Sequence, residues 1–448
     1  MAQPPSTTGT ESTTAPPVRI RTFWRGMVAA ATGNALESYD FSVYGFLTPV
    51  IAVAFFPSKN LFVGLLSAFA VFAVGFGMRP LGAIIFGFLA DRRGRRTALI
   101  AVIMTMGVAT VLMGLMPTYL QAGILGPVLL VVARSVQGVA VGGEFGTSAP
   151  FLVEYAPRSR RGVCGSVTYM GSGVGNAVAA VVVLVVTVLV ARQEMEIWGW
   201  RVPFLVGFLL VAVGFYMRLR IEETPSFQTL QASGDRSRSP LLEVVRHHWR
   251  QMVTIIGVVI TFAVTAYTVL AFMLAYLTSV RHLPKTEALL LVLVVILLGV
   301  VLAPVWGWAS DVLGRGQLLM AGCVGAIVLY YPGYALIALG TVPTVLAGLV
   351  LFMLPLSVFE GVTPAAFSEI FPTRVRASGF SVAYGVGTAL FSGTTPFILT
   401  LLVTTTHNPL SPAWYPIACG FVSLAVLIAA RPLFGMQTGA ASLRVAGD

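Results

Sequence analysis

Seven polar side chains stand inside long apolar runs: Glu37 and Asp40, Arg79, Arg134 with Gln137, Glu144, and Glu360. A charge at the centre of a membrane-crossing helix costs about 2.5–3.5 kcal/mol on insertion scales, so such residues are functional candidates by default. Glu37 and Asp40 are three residues apart, on one face of a helix, where two carboxyl groups can share a proton. The guanidinium groups of Arg79 and Arg134 can grip a carboxylate through paired N–H bonds. Such a set handles protons and a small anionic group without making or breaking covalent bonds. A plainer reading exists for each: Arg79 can be the permanent partner of Glu37 or Asp40, and Glu360 can pair with a loop arginine or with Thr363.

The elements that carry these groups must bring them to one depth. Counted at 1.5 Å per residue from the nearest helix end, Glu37 and Asp40 lie roughly 16 and 21 Å in, Arg79 about 18 Å, Glu144 about 16 Å and Glu360 about 15 Å. At 100° per residue, Asn34, Glu37, Asp40, Phe41 and Tyr44 fall on one stripe, and Arg134, Gln137 and Glu144 on another. Each stripe is expected to face a central cavity.

The rest of the chain fits such helices. Of its 448 residues 57% are hydrophobic and 10% charged, with mean hydropathy +0.88, against about 25% charged in soluble domains. Twelve apolar segments are long enough to span: 26–56, 61–90, 97–116, 122–155, 163–191 and 202–220, then 250–280, 286–309, 317–339, 343–370, 375–404 and 412–430. The expected organisation is an all-α membrane protein of two six-helix halves, 26–220 and 250–431. A linker at 221–249 joins them, and tails at 1–25 and 432–448 flank them. The first twenty residues hold no apolar run, so no signal peptide is expected. The net charge of +11 does not call for nucleic acid. With the N-terminal tail inside, 21 of the 28 Lys and Arg fall in inner segments, which places both termini in the cytoplasm. Cys164, Cys323 and Cys419 lie apart in apolar runs and suggest neither a disulfide framework nor a metal site.

An internal repeat supports the two halves. Gly87, Asp91, Gly94 and Arg95 recur 220 residues on as Gly307, Asp311, Gly314 and Arg315. Glu154, Pro157, Arg161, Ser166 and Tyr169 recur 215 residues on as Glu369, Pro372, Arg376, Ser381 and Tyr384. Parallel halves around an axis along the membrane normal imply a midplane cavity opened to either side by rocking. The repeat also raises Tyr169 and Tyr384 above other aromatics as cavity residues. Asp91 and Asp311 sit at helix C-termini, where the dipole disfavours an anion, so basic partners are expected. Arg92, Arg95, Arg96, Glu154 and Arg161 in one half, and Arg315, Glu369, Arg374 and Arg376 in the other, are candidates for an ion-pair latch, or else only set topology.

The run from Gly87 through Asp91, Arg92, Gly94, Arg95 and Arg96 resembles the signature loop between helices two and three of the major facilitator superfamily. Narrower motifs resemble its metabolite:proton symporter branch: Gly33-Asn34 with Glu37, Tyr39, Asp40 and Phe41; Arg79-Pro80; Arg134 with Gln137-Gly138 and Gly142-Gly143-Glu144; Trp198 to Phe204; Glu223-Thr-Pro225; and Glu369 to Arg376. Ser38 departs from it, where the branch usually has Trp. The resemblance implies a secondary transporter in the cell membrane, driven by the proton gradient with no cofactor and working as a monomer. It also makes the loop charges a latch on the cytoplasmic side.

Proton coupling is then expected at Glu37, Asp40 and Glu144, and substrate contact at Asn34, Arg79, Arg134, Gln137, Tyr169, Glu360 and Tyr384. The branch carries organic acids and zwitterionic osmolytes. Two buried arginines, and a short C-terminal tail without the heptads of osmosensing relatives, point to an organic acid, with proline or betaine as the alternative. No nucleophile–base set, metal-ligand spacing or phosphate loop supports an enzyme, and a receptor would not need buried acids in both halves.

Overall fold

The computed structural model describes residues 20–93, 95–142, 149–150, 152–153, 156–219, 240–372 and 375–434, and among them helices account for the architecture with no strand. The first six membrane helices are α1 (Ile20–Phe55), α2 (Leu61–Gly77 continued by Arg79–Arg93), α3 (Arg95–Leu115), α4 (Leu125–Gly142), α5 (Arg161–Leu189) and α6 (Arg201–Leu219). The second six are α7 (Trp249–Tyr267, continued through Thr268–Phe272 to Met273–Ser279), α8 (Lys285–Leu313), α9 (Arg315–Ala338), α10 (Val342–Ile370), α11 (Arg376–Phe391 with Thr395–Thr406) and α12 (Trp414–Ala429). Ten of these are long and apolar enough to cross a membrane among the described residues. The other two, α3 and α6, pack on each other. Within the expected linker, Pro240–His247 forms one further short helix, which rests on α7 and α11.

Three interruptions have local causes. Pro80 lacks the N–H that would continue the ladder, and α2 turns at Met78 before resuming. Pro396 does the same to α11 after 392–394, as expected of a ring that removes a donor and crowds the preceding turn. In α7, Thr268–Phe272 forms a π-helical turn, a one-residue insertion that shifts the helical phase and is common beside functional sites.

The halves meet chiefly through α5 against α8 and α10, α2 against α11, and α1 against α7. In α1 and α7, 83% and 78% of the apolar stretch is buried, against 39% in α5 and α9. The first helix of each half is therefore central, and the residues on its inner face line whatever lies between the halves.

Candidate functional site

What lies between them is a cavity of about 70 Å³, walled by α1, α2 and α5 from one half and α7, α10 and α11 from the other. Glu37 of α1 reaches Arg79 of α2, Oε1 to Nη2 at 3.4 Å, with both side chains less than a tenth exposed. Arg79 stands where α2 turns, its guanidinium carbon 4.0 Å from the Phe76 ring centroid and 4.7 Å from that of Phe41. Ring faces here take the place of water around a planar cation. On the facing half, Glu360 of α10 lines the same cavity. Tyr169 of α5 donates to the Tyr384 hydroxyl of α11 at 3.1 Å. These two residues are related by the 215-residue repeat, and their contact is consistent with a pseudo-twofold axis that passes between them.

Asp40, Arg134 and Gln137 are placed behind the cavity wall. Arg134 Nη1 donates to Gln137 Oε1 at 2.8 Å, Gln137 Nε2 to the Thr110 hydroxyl at 2.7 Å, and that hydroxyl to Asp40 Oδ2 at 2.7 Å. All four are buried, and the Arg134 guanidinium carbon sits 3.9 Å from the Tyr44 ring centroid. The donors run in one direction, from cation to carboxyl, inside the core shared by α1, α3 and α4. Such a chain secures three helices to one another, because each member removed leaves another unsatisfied away from water.

At the face where α4 meets α5, α8 meets α9 and α10 meets α11, a second charged group joins the halves. The backbone N–H groups of Gly162 and Val163, at the start of α5, donate to Asp311 at 2.8 and 3.2 Å. Arg315 holds the same carboxylate at 2.6 Å and reaches Glu369 at 3.3 Å, while Arg161 lies 3.9 Å from Glu369. The anion disfavoured by the C-terminus of its own helix is thus compensated by the N-terminus of α5 and by Arg315. Gly314, at φ +97°, lets the chain reverse so that Arg315 folds back on Asp311, a conformation only glycine adopts freely. That accounts for the glycine in the repeated motif. Arg315 pairs with Asp311 and Glu369 inside the second half, while Arg161 and the Gly162 and Val163 N–H groups carry the network across to the first. Gly162 and Gly307 lie so close that a Cβ on either would meet the other's backbone.

Of the sequence-derived site residues, Glu37, Arg79, Tyr169, Glu360 and Tyr384 come together in the cavity. Asn34 is buried on α1, one turn from Glu37. Arg376 donates to the Phe371 carbonyl at 3.4 Å. Gly94, Glu144, Glu154 and Arg374 lie outside the described residues, as do the tails 1–19 and 435–448, and the side chains at 87 and 91–96 are not described. Sequence reasoning passed over Phe262, Ser42 and Thr388, which also line the cavity. Ser42 donates to Asn176 at 2.7 Å. Phe262, Ala266 and Leu270 recur every four residues on α7, a signal present in the sequence but muted because that stripe holds no charge. Ser38, where the motif departs from its branch, lines the cavity as well.

Residues 30–396 match the model of the Major Facilitator Superfamily. The proline/betaine transporter of Escherichia coli K12 is 34% identical over 438 residues, 95% of this chain and 87% of that protein. The glycine betaine/proline/ectoine/pipecolic acid transporter OusA of Dickeya dadantii has the same identity and coverage. Among solved structures, the xylose transporter XylE of E. coli in a partially occluded inward-open conformation superposes with a TM-score of 0.71 at 19% identity, covering 91% of this chain and 97% of that one. A model matched from α1 into α11, relatives similar along nearly the whole length, and twelve helices in two halves around a cavity agree: the chain belongs to the Major Facilitator Superfamily.

Proposed function

We propose that this protein is a proton-coupled symporter that takes up a small zwitterionic solute of the proline and betaine kind by alternating access. The observation that carries the reading is the Glu37–Arg79 pair in the cavity between the halves. Its charges cancel, so the site has no surplus positive charge with which to hold a di- or tricarboxylate, and a ligand of zero net charge suits it better. This moves the substrate from an organic acid to the alternative, in keeping with the substrates for which the relatives are named.

The coupling follows from competition for one guanidinium. A ligand carboxylate takes the fork of Arg79 and displaces Glu37. Left without its cation among mostly buried side chains, Glu37 takes a proton from the side to which the cavity opens, and ligand and proton cross together. Loss of the proton on the far side returns Glu37 to Arg79 and expels the carboxylate. The arginine-rich face is the cytoplasmic one, the protein sits in the cell membrane with both termini inside, and one chain suffices.

The test is uptake of labelled glycine betaine, proline, citrate and oxoglutarate into proteoliposomes, with and without an inside-alkaline pH gradient. Gradient-dependent accumulation of the zwitterions is expected, with Glu37→Gln abolishing accumulation but sparing counterflow. Accumulation of the dicarboxylate alone, or uptake indifferent to the gradient, overturns the proposal.

A further inference from the structure

The wall facing Arg79 holds a carboxyl that the coupling scheme leaves unused. Glu360 lines the cavity from α10, and among the described residues no hydrogen bond or ion pair is recorded to it. Its Oε2 lies beside Gly299 of α8, 3.4 Å from where a Cβ there would stand, so α8 supplies backbone and no donor at that point. Aromatic rings stand around the same space. Phe262 is edge-on to Tyr169 at 5.3 Å between centroids and tilted against Tyr384 at 6.4 Å. Glu360 is within electrostatic reach of the Tyr169 hydroxyl, and that hydroxyl is engaged with Tyr384. A carboxylate set beside ring faces is complementary to a cationic nitrogen, which it attracts by charge while the rings receive the groups that nitrogen carries.

We infer that Glu360, together with the rings of Tyr169, Phe262 and Tyr384, is the subsite for the ligand's cationic nitrogen. The inference rests on the zwitterion reading and deepens it. The ligand's two charges are then read by different halves, the carboxylate by Arg79 of the first and the nitrogen by Glu360 of the second. Only a molecule carrying both draws the halves together, so a lone carboxylate of the same shape binds one half and does not promote closure.

The discriminating pair is glycine betaine and 3,3-dimethylbutanoate, which has the same shape with carbon in place of the charged nitrogen. Competition against labelled glycine betaine is measured on the purified full-length chain. Wild type is expected to prefer glycine betaine by about 30-fold or more, the scale of a desolvated cation–ring and charge contact. In Glu360→Gln the preference falls to about threefold or less while affinity for 3,3-dimethylbutanoate is kept, which also shows that the variant is folded. Glu360→Asp, which keeps the charge, keeps most of the preference and carries the test should the glutamine variant not fold. Undiminished preference in Glu360→Gln, or its collapse in Glu360→Asp, overturns the inference alone. Failure of the wild type to bind glycine betaine overturns the zwitterion reading and the inference with it.

Discussion

Arg79 and Arg134 have the same chemistry in the sequence and different surroundings in the fold. Arg79 faces the cavity and shares its charge with Glu37. Arg134 is fully buried, its charge spread over the Tyr44 ring and passed through Gln137 and Thr110 toward Asp40. Opposite responses to the same change follow. Arg79→Lys removes a planar fork stacked on two rings, so uptake should fall more than about tenfold, with the melting temperature in detergent shifted by no more than a few degrees. Arg134→Met leaves Gln137 and Asp40 without their distal donor in a dry core and should cost about 3–5 kcal/mol, seen as a lowered melting temperature. Substrate affinity of the molecules that remain folded should be unchanged. Both arginines were legible in the sequence because a charge in an apolar run is expensive. Which of them faces the cavity was not, since helical phase fixes the side of a helix but not which neighbour covers it. Phe262 shows the converse: a ring in an apolar helix costs nothing, and its place in the cavity becomes visible only when α7 is set beside α5 and α11.

At the scale of elements, the junction of α8 with α9 works as a clasp on α5. Asp311 accepts from the first N–H groups of α5 and is steadied by Arg315, so the bond is charge-assisted and gains from the dipole of the helix it caps. Asp311→Asn keeps the shape but loses the charge and one of the acceptors. Release of a fraction of that stabilisation, about 1–2 kcal/mol, should raise labelling of a cysteine placed at Thr388 from the arginine-rich side by roughly tenfold. Labelling unchanged by Asp311→Asn would mean that these charges only set orientation. The boundaries of most helices were readable from charge clusters and turn residues to within a few positions. The interior breaks were less so. Pro80 and Pro396 announce theirs, whereas the π-helical turn at Thr268–Phe272 has no such marker. It arises where α7 must pack on α1, with Gly45 against the backbone at Leu270 and Ala271, and a contact between the first helices of two halves is not a property of either sequence segment alone.

For the whole molecule, transport requires that each face open while the other stays shut, and the two halves touch here on either side of the cavity. The arginine-rich face closes where Gly162 meets Gly307 and Asp311 caps α5. The opposite face closes where Gly45 meets α7 and where Gly393 of α11 lies against Ala73 and Phe76 of α2. The absence of side chains at these crossings lets the backbones approach, and so a bulky residue acts as a wedge whose position decides which face it holds apart. Gly162→Leu should keep the arginine-rich face open and Gly45→Leu the opposite one. Neither disturbs the Glu37–Arg79 pair or Glu360. Each variant should therefore lose net uptake by more than about tenfold while remaining folded. The measurement that separates them is labelling of Ser392→Cys, a cavity position, after replacement of Cys164, Cys323 and Cys419. An impermeant reagent should reach it from the arginine-rich side only in Gly162→Leu and from the other side only in Gly45→Leu. If both wedges expose Ser392→Cys to the same side, the two glycine crossings do not belong to opposing gates, and the halves do not rock about the cavity as the repeat implies.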